Sequence, residues 1–484
     1  MFIEDTQILQ VLRGYNPWWA TKQVPASFAP PVKRLAFYEI VSLLNRNDLH
    51  RTIILSGARR VGKTTILYQL CQYFIENGVP ADHILYATFD HPILKMTSLQ
   101  QVVEIFINNV SADNRNLVLL FDEIHYANEW SLWLKRLGDE NPTFKIIATG
   151  SASVELNTKG TESGVGRWID VKIPTLSFYE YIRLKGIDVP DLTPDTKPTS
   201  LPNLTPEDRN HILSSLAHLE QHFHRYLLTG GFPETVRLED DLSLAQRLLR
   251  EDVVDRVLKR DMTATYNIAN PFELERLFLY LCMNSGGIVN QEKLAQNLGV
   301  SRTTVSRYIQ YLELAHLVYR LNPVHLTTTK NKALRPRSKI YLADCAIRNA
   351  VLLRGDEILA DNEEMGMMVE TAVVKHIHAF YYTSRPEIGY WKGDKDKEVD
   401  IVVRSPYWEI LIEIKYRKHP QIEADSGLYQ YAAQSDKPLA GLVITKSATD
   451  FGPVTEKPDG EFTPFMVPAF VFLYLLGHAE YTGY

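Results

Sequence analysis

Two patterns in this chain combine residue types that handle phosphate groups. The first runs Gly57-Ala58-Arg59-Arg60-Val61-Gly62-Lys63-Thr64, which matches G-x-x-x-x-G-K-[ST] without departure. Its glycines let the backbone turn N–H groups onto phosphate oxygens, and the helix that follows adds the positive end of its dipole. In that arrangement Lys63 reaches the β- and γ-phosphates of ATP, and the Thr64 hydroxyl ligates magnesium. An apolar strand from Leu117 to Phe121 ends in Asp122-Glu123. Asp122 fits the magnesium-side carboxylate, and Glu123 fits the group that polarises the attacking water. A further strand ends in Thr149-Gly150-Ser151. A polar side chain there either orients the lytic water or caps the next helix. Arg167 closes a glycine-rich turn before a fifth strand. It is either a finger for a neighbouring subunit's phosphoryl group or a surface ion-pair partner.

The second pattern is D-x(12)-E-x-K, formed by Asp400, Glu413 and Lys415, with Glu370 on a preceding helix, 363–380. Residues two apart on a strand share a face, so Glu413 and Lys415 project together, and Asp400 on a paired strand can meet them. Carboxylates of this kind hold magnesium, with Asp400 and Glu413 as ligands, while the lysine orients a nucleophile or offsets charge. The alternative is a set of charged residues on the solvated face of two strands. Gln430, on the helix after the second strand, either lines the same cleft or faces solvent.

A third pattern suits nucleic acid. Leu294, Ala295 and Leu298 form the inward stripe of one helix, Gly299-Val300 makes a turn, and Ser301 caps a second helix from Arg302 to Ala315. Val305, Ile309 and Leu312 are its buried stripe. Arg302, Thr303 and Arg307 face outward, where they can contact DNA phosphates and bases or serve as a packing surface. Leu317 to Leu321 reads as the first strand of a wing.

The elements that must position these residues alternate in type. RTIILSG, HILYATFD, LVLLFDEIH, KIIATGS and WIDVKIP are five strand candidates separated by helical spacing, which predicts an α/β fold with a parallel sheet. A leader, residues 1–30, carries Tyr15, Trp18 and Trp19, which either stack on adenine or bury the leader itself. Residues 185–207 hold five prolines and little apolar content, so an extended surface insertion is expected there. The chain is helical from 208 to about 270, then helix-turn-helix to about 325, then α/β from about 335 to the end. With 484 residues and 45% hydrophobic content, each of about three domains can bury a core. The net charge of -6 gives no global basic footprint, so any nucleic-acid contact must come from a local patch. Cys71, Cys282 and Cys345 form no metal spacing and fit free thiols in a reducing cytosol. The acidic start MFIEDTQILQ has no apolar signal core, and Phe465 to Leu476, interrupted by Pro468, is too short to span a bilayer and reads as core. A cytoplasmic, non-membrane protein is expected.

The chain resembles a prokaryotic family of AAA+ ATPases with a C-terminal domain of unknown function assigned to the PD-(D/E)XK nuclease-like superfamily. The resemblance covers nearly the whole length. It rests on Asn16-Pro17-Trp18-Trp19, the loop GARRVGKTT ending at Thr65, LLFDEIH, ATGSAS and Gly166-Arg167. It also rests on Leu176-Ser177-Phe178-Tyr179-Glu180, Gly230-Gly231-Phe232-Pro233-Glu234, Lys339 to Asp344, Glu398-Val399-Asp400 and Glu413-Ile414-Lys415. It implies an AAA+ core over 31–184 with a helical lid over 208–270, a winged helix over 271–334 and a nuclease-like α/β domain over 335–484. Residues 57–65, Asp122, Glu123 and Ser151 would surround ATP, Arg167 would be an arginine finger, and Glu370, Asp400, Glu413 and Lys415 would take nuclease-like positions. The expected function is an ATP- and magnesium-dependent homo-oligomer acting on DNA. The rival readings are an ATPase whose last domain only binds DNA or a partner, and a nucleotide-gated defence or signalling switch.

Overall fold

A computed structural model describes residues 3–483 apart from 47, 112–114, 151–166, 189, 191, 193–194, 239, 267, 269, 326–336, 394–396 and 456–461. The chain divides into two compact units, one ending at Pro174 and the other running from Thr175 to Gly483. The expected division after residue 184 falls ten residues beyond this point, and the lid, winged-helix and nuclease-like segments all lie within the second unit.

The first unit is built on five parallel strands: β1 (Thr52–Ser56), β2 (Ile84–Thr88), β3 (Val118–Asp122), β4 (Lys145–Gly150) and β5 (Trp168–Lys172). Their order is β2-β3-β4-β1-β5. β1 and β3 are buried at every position, as expected of central strands covered on both faces. The phosphate loop leaves β1 and enters helix α1 (Lys63–Glu76), which buries Ile66, Leu67, Leu70, Cys71 and Phe74. The leader folds onto the β2 edge. Asn16 donates to the carbonyls of Leu12 and Tyr86 and accepts from the Tyr86 N–H. The indoles of Trp18 and Trp19 both donate to the Ile84 carbonyl. Ile84 opens β2, and nucleotides bind beyond the carboxyl ends of such strands. The two tryptophans therefore bury the leader and do not stack on adenine.

The second unit carries an eight-stranded mixed sheet in the order β12-β13-β11-β10-β9-β8-β6-β7. Its strands are β6 (Val318–Pro323), β7 (Lys339–Leu342), β8 (Glu387–Lys392), β9 (Glu398–Arg404), β10 (Glu409–Ile414), β11 (Leu439–Thr445), β12 (Gly452–Pro453) and β13 (Phe465–Pro468). Two helices occupy the segment read as helix-turn-helix: α2 (Gln291–Leu298), with Gly299 in the left-handed region as its cap, and α3 (Arg302–Leu314), capped by Ser301. The expected wing strand, β6, is not free-standing. It pairs antiparallel with β7 and parallel with β8, because its apolar Leu321 belongs to the core of the large sheet.

Helix α4 (Cys345–Leu352) follows β7, and the 19-residue helix α5 (Asn362–Phe380) packs with the C-terminal helix α6 (Ala469–Tyr481). The apolar run from Phe465 splits at Pro468 into β13 and α6, and α6 is buried from Ala469 to Ala479. In the proline-rich stretch, Leu192, Thr196 and Leu201 are buried. These side chains anchor a stretch whose other described residues are largely exposed or half-buried: proline blocks regular hydrogen bonding but does not keep a neighbouring leucine in solvent. Among the described residues, no helix is long and apolar enough to cross a membrane.

Candidate functional site

The phosphate loop is held from outside by groups far away in sequence. A Cβ on Gly57 would lie 2.3 Å from the Ile173 carbonyl oxygen, so only glycine lets the loop start against the end of β5. Arg34 is buried and donates to the carbonyls of Val61 at 2.7 Å and Pro174 at 3.0 Å. Gly62 adopts φ 98° as the chain turns into α1. The Lys63 ammonium donates to the carbonyls of Gly57 and Ala58, both at 2.9 Å, and closes the loop into a ring. Arg59 reaches the Tyr126 hydroxyl.

The acidic side of this site is a hydrogen-bonded cluster. Asp122 Oδ2 accepts from the Thr64 hydroxyl at 2.7 Å and the Tyr86 hydroxyl at 3.0 Å, while Oδ1 accepts from Thr149 at 2.5 Å. Burial, followed by the charge of Glu123, raises the Asp122 pKa, and these three hydrogen bonds work in the opposite direction. The Thr64–Asp122 pair lies where a magnesium ion between nucleotide and protein would need its oxygen ligands. Glu123 turns through φ 49°, and its N–H donates to the Thr149 hydroxyl at 2.9 Å. Its Oε2 is buried without a hydrogen-bond partner and lies 3.4 Å from His125 Nδ1. Thr149 thus fixes both acidic residues. Its single hydroxyl hydrogen goes to Asp122, so toward any further group Thr149 acts only as an acceptor. Ser151 lies outside the described residues.

Arg167 precedes Trp168, which pairs with Thr52 at the start of β1. It therefore sits at the amino ends of the strands, opposite the phosphate loop of its own chain, and contacts Asp139 at 3.3 Å on the surface. It cannot reach its own nucleotide.

In the second unit, the antiparallel pair β9/β10 has Ile401 opposite Ile412, which sets Asp400 beside Glu413 at the next step. Asp400 Oδ2 accepts from the Ile414 N–H at 2.9 Å. Lys415 meets Glu413 Oε1 at 2.7 Å. Glu370 comes from α5 and accepts from the Tyr341 hydroxyl at 2.6 Å. The sequence-predicted set therefore converges, and it is larger than predicted. Lys339, on β7, reaches Glu398 at 3.1 Å and Asp400 at 3.5 Å. Burial, then the charge of Asp400, pushes the Glu370 pKa up to about 7, and burial, then Asp400, also raises that of Glu413. The oxygen-only donor set suits a hard divalent cation, and Glu413 Oε2 is a buried acceptor with no hydrogen-bond partner. Among the described residues, however, no three His, Cys, Asp or Glu side chains are arranged to hold a metal ion. Gln430 donates to the Asp425 carbonyl on the surface.

Three of the sequence blocks without an assigned chemistry meet in one buried knot. Lys375, on α5 five residues beyond Glu370, donates to Asp344 Oδ2 at 3.0 Å, the Leu176 carbonyl at 2.9 Å and the Tyr226 hydroxyl at 2.5 Å. Asp344 also accepts from the N–H groups of Gly231 and Ala346. A Cβ on Gly230, at φ 73°, would lie 2.1 Å from Asp344 Oδ1, which explains the double glycine. His376 donates from Nδ1 to the Ala372 carbonyl and accepts the Phe178 N–H at Nε2, and burial holds its pKa well below the usual value, so it is neutral. Tyr341–Glu370 and Asp344–Lys375 are two polar ties between one β7–α4 segment and α5. The knot therefore fixes the helix that supplies Glu370.

On α3, Thr303 and Arg307 are exposed, and Arg302 lies 3.8 Å from Glu292. Sequence reasoning missed Arg34, Lys339 and Glu398. The partners of Arg34 lie 27 and 140 residues away and that of Lys339 about 60, so no local spacing marks these two, whereas Glu398 stands two residues before Asp400 on one strand face.

Residues 49–182 match the family profile described as an AAA domain. Residues 220–357 and 365–457 match two domains of unknown function, DUF8612 and DUF4143. Two uncharacterized proteins of Methanocaldococcus jannaschii are similar to this chain. One is 27% identical over 380 residues, 76% of each chain. The other is 25% identical over 368 residues, 75% of this chain and 74% of the relative. Among solved structures, a Saccharomyces cerevisiae Hsp104:casein complex aligns at a TM-score of 0.31 and 18% identity, over 61% of this chain and 52% of that one. The AAA match and the loop geometry agree on an ATP-binding P-loop ATPase domain in the first unit.

Proposed function

We propose that this protein hydrolyses ATP as a homo-oligomer and acts on nucleic acid through a divalent-metal-dependent cluster in its second unit. For the ATPase step, Glu123 accepts a proton from the attacking water as its oxygen forms a bond to the γ-phosphorus. The bond from that phosphorus to the β-phosphate oxygen breaks, and ADP leaves. Lys63 and the loop N–H groups stabilise the phosphoryl oxygens. Thr64 and Asp122 are the residues that would hold magnesium, which offsets phosphate charge. Arg167, remote from its own site, would serve a neighbour's, and that distance supports the oligomeric reading. Three buried free cysteines fit a reducing compartment such as the cytoplasm.

The observation that carries the nucleic-acid reading is the convergence of Asp400, Glu413, Lys415 and Glu370 from two strands and a helix. Arg417 and Lys418, two and three residues beyond Lys415, are exposed and have no ion-pair partner among the described residues. They add local positive charge beside the cluster. Asp400 and Glu413 would hold the metal, whose chemistry there is to activate water and offset phosphate charge. Lys415 would orient the water against a phosphodiester. The outward Arg302, Thr303 and Arg307 of α3 offer a second phosphate contact. The test is nicking of supercoiled plasmid with magnesium or manganese, with and without ATP. Nicking that disappears in Asp400→Asn and Glu413→Gln while ATPase activity persists supports the reading. No nicking under any condition removes it.

A second reading has its own observation. Lys339 and Lys415 already offset the carboxylates, and no three of them are arranged around a metal position. On that reading the second unit only binds DNA or a partner, and DNA binding persists without cutting.

A further inference from the structure

Lys339 and Tyr341 sit two apart on β7 and face the same way, toward the carboxylates. Tyr341 takes Glu370, while Lys339, only 4% exposed, takes Glu398 and Asp400. The Lys339 ammonium thus pairs with two carboxylates inside the cluster. Asp400 is then engaged at both oxygens: Oδ2 by the Ile414 N–H and Oδ1 by Lys339. Across the strand pair, Glu413 is 6% exposed, its Oε1 meets Lys415, and its Oε2 has no hydrogen-bond partner. One ligand position therefore waits for a partner, and the position beside it already holds an internal cation.

We propose that Lys339 is a built-in counter-cation that competes with a divalent metal ion for Asp400, so that metal enters the cluster only as the ammonium withdraws. The inference rests on the metal reading above and adds a reason for weak, conditional metal binding. Four carboxylates, Glu370, Glu398, Asp400 and Glu413, face two lysines, Lys339 and Lys415. The cluster needs a cation to be stable, and Lys339 supplies it when metal does not. Even at the dielectric constant of water, a unit charge about 5 Å from a divalent ion changes its affinity by about tenfold, and a drier site gives more.

The experiment uses the full chain without nucleotide and titrates manganese or magnesium by calorimetry and by melting temperature. Lys339→Gln is expected to melt lower without metal, to bind metal about tenfold tighter than the parent, and to gain more melting temperature from it. Lys339→Arg keeps the charge and is expected to resemble the parent. A parent that binds metal together with a Lys339→Gln variant of equal affinity and equal metal-induced shift overturns the competition while leaving the metal reading intact. Absence of binding in both overturns both. Metal binding by the variant alone supports the strongest form, in which Lys339 blocks the site. A second readout needs no folded variant: in the parent protein, an amine-reactive reagent followed by peptide mass spectrometry should label Lys339 more when metal is added. Labelling that metal leaves unchanged overturns the proposal.

Discussion

Replacing Lys375 with methionine keeps most of its volume but strands the Asp344 carboxylate in the core of the second unit. Lys375 is 2% exposed at its side chain and Asp344 0%. The change removes the 3.0 Å ion pair and the hydrogen bonds to Tyr226 and the Leu176 carbonyl. The Gly231 and Ala346 N–H groups and the weak Cys345 thiol donor then remain to solvate the charge. Breaking a buried pair from one side costs about 3–5 kcal/mol, far above the value of an exposed pair. For a unit of about 300 residues, with about 2.1 cal/mol/K of unfolding entropy per residue, that lowers the melting temperature by about 5–8 °C. Differential scanning calorimetry of the full chain reads this, with ATP added to raise and so identify the transition of the first unit. The double variant Lys375→Met/Asp344→Asn removes the charge as well as its partner and should recover part of the loss, which a double-mutant cycle measures. A single variant that melts within about 1 °C of the parent would refute the reasoning, because it would mean that the knot contributes no net stability.

Glu123→Gln should keep ATP binding and lose turnover, since the amide spares the Thr149 contact to the backbone but cannot take a proton from water; parental hydrolysis by this variant would remove Glu123 from its role. Glu370 gives a pH signature. Its folded pKa of about 7 lies above the unfolded value, so its protonation favours folding below the unfolded pKa, and this contribution is lost as pH rises through about 7. The second unit's melting temperature should therefore fall between about pH 5 and 8 from this group, and Glu370→Gln should flatten that slope; an unchanged slope would mean that another group titrates.

The ATP site was legible in the sequence because its chemistry is local. Residues 57–64 are contiguous, and Asp122-Glu123 end a strand whose apolar run marks it for burial. The five strands of the first sheet, the helix-turn-helix and the helix and strands bearing Glu370, Asp400 and Glu413 were readable for the same reason: periods of two and 3.6 residues report burial within one element. Even the meeting of Asp400 with Glu413 and Lys415 follows from the pleat once the two strands pair. What the sequence could not decide was which distant groups complete each site. Arg34 under the loop, Thr149 between Asp122 and Glu123, and Lys339 against Asp400 are brought in by packing across tens of residues. The same holds for β6, whose composition reads as a wing strand but whose partner is chosen by where its apolar face finds a core. The sequence blocks around Leu176, Gly230 and Asp344 carry no chemistry singly. Only the tertiary fold brings them around Lys375, because a buried charge is tolerated solely where several segments converge to solvate it.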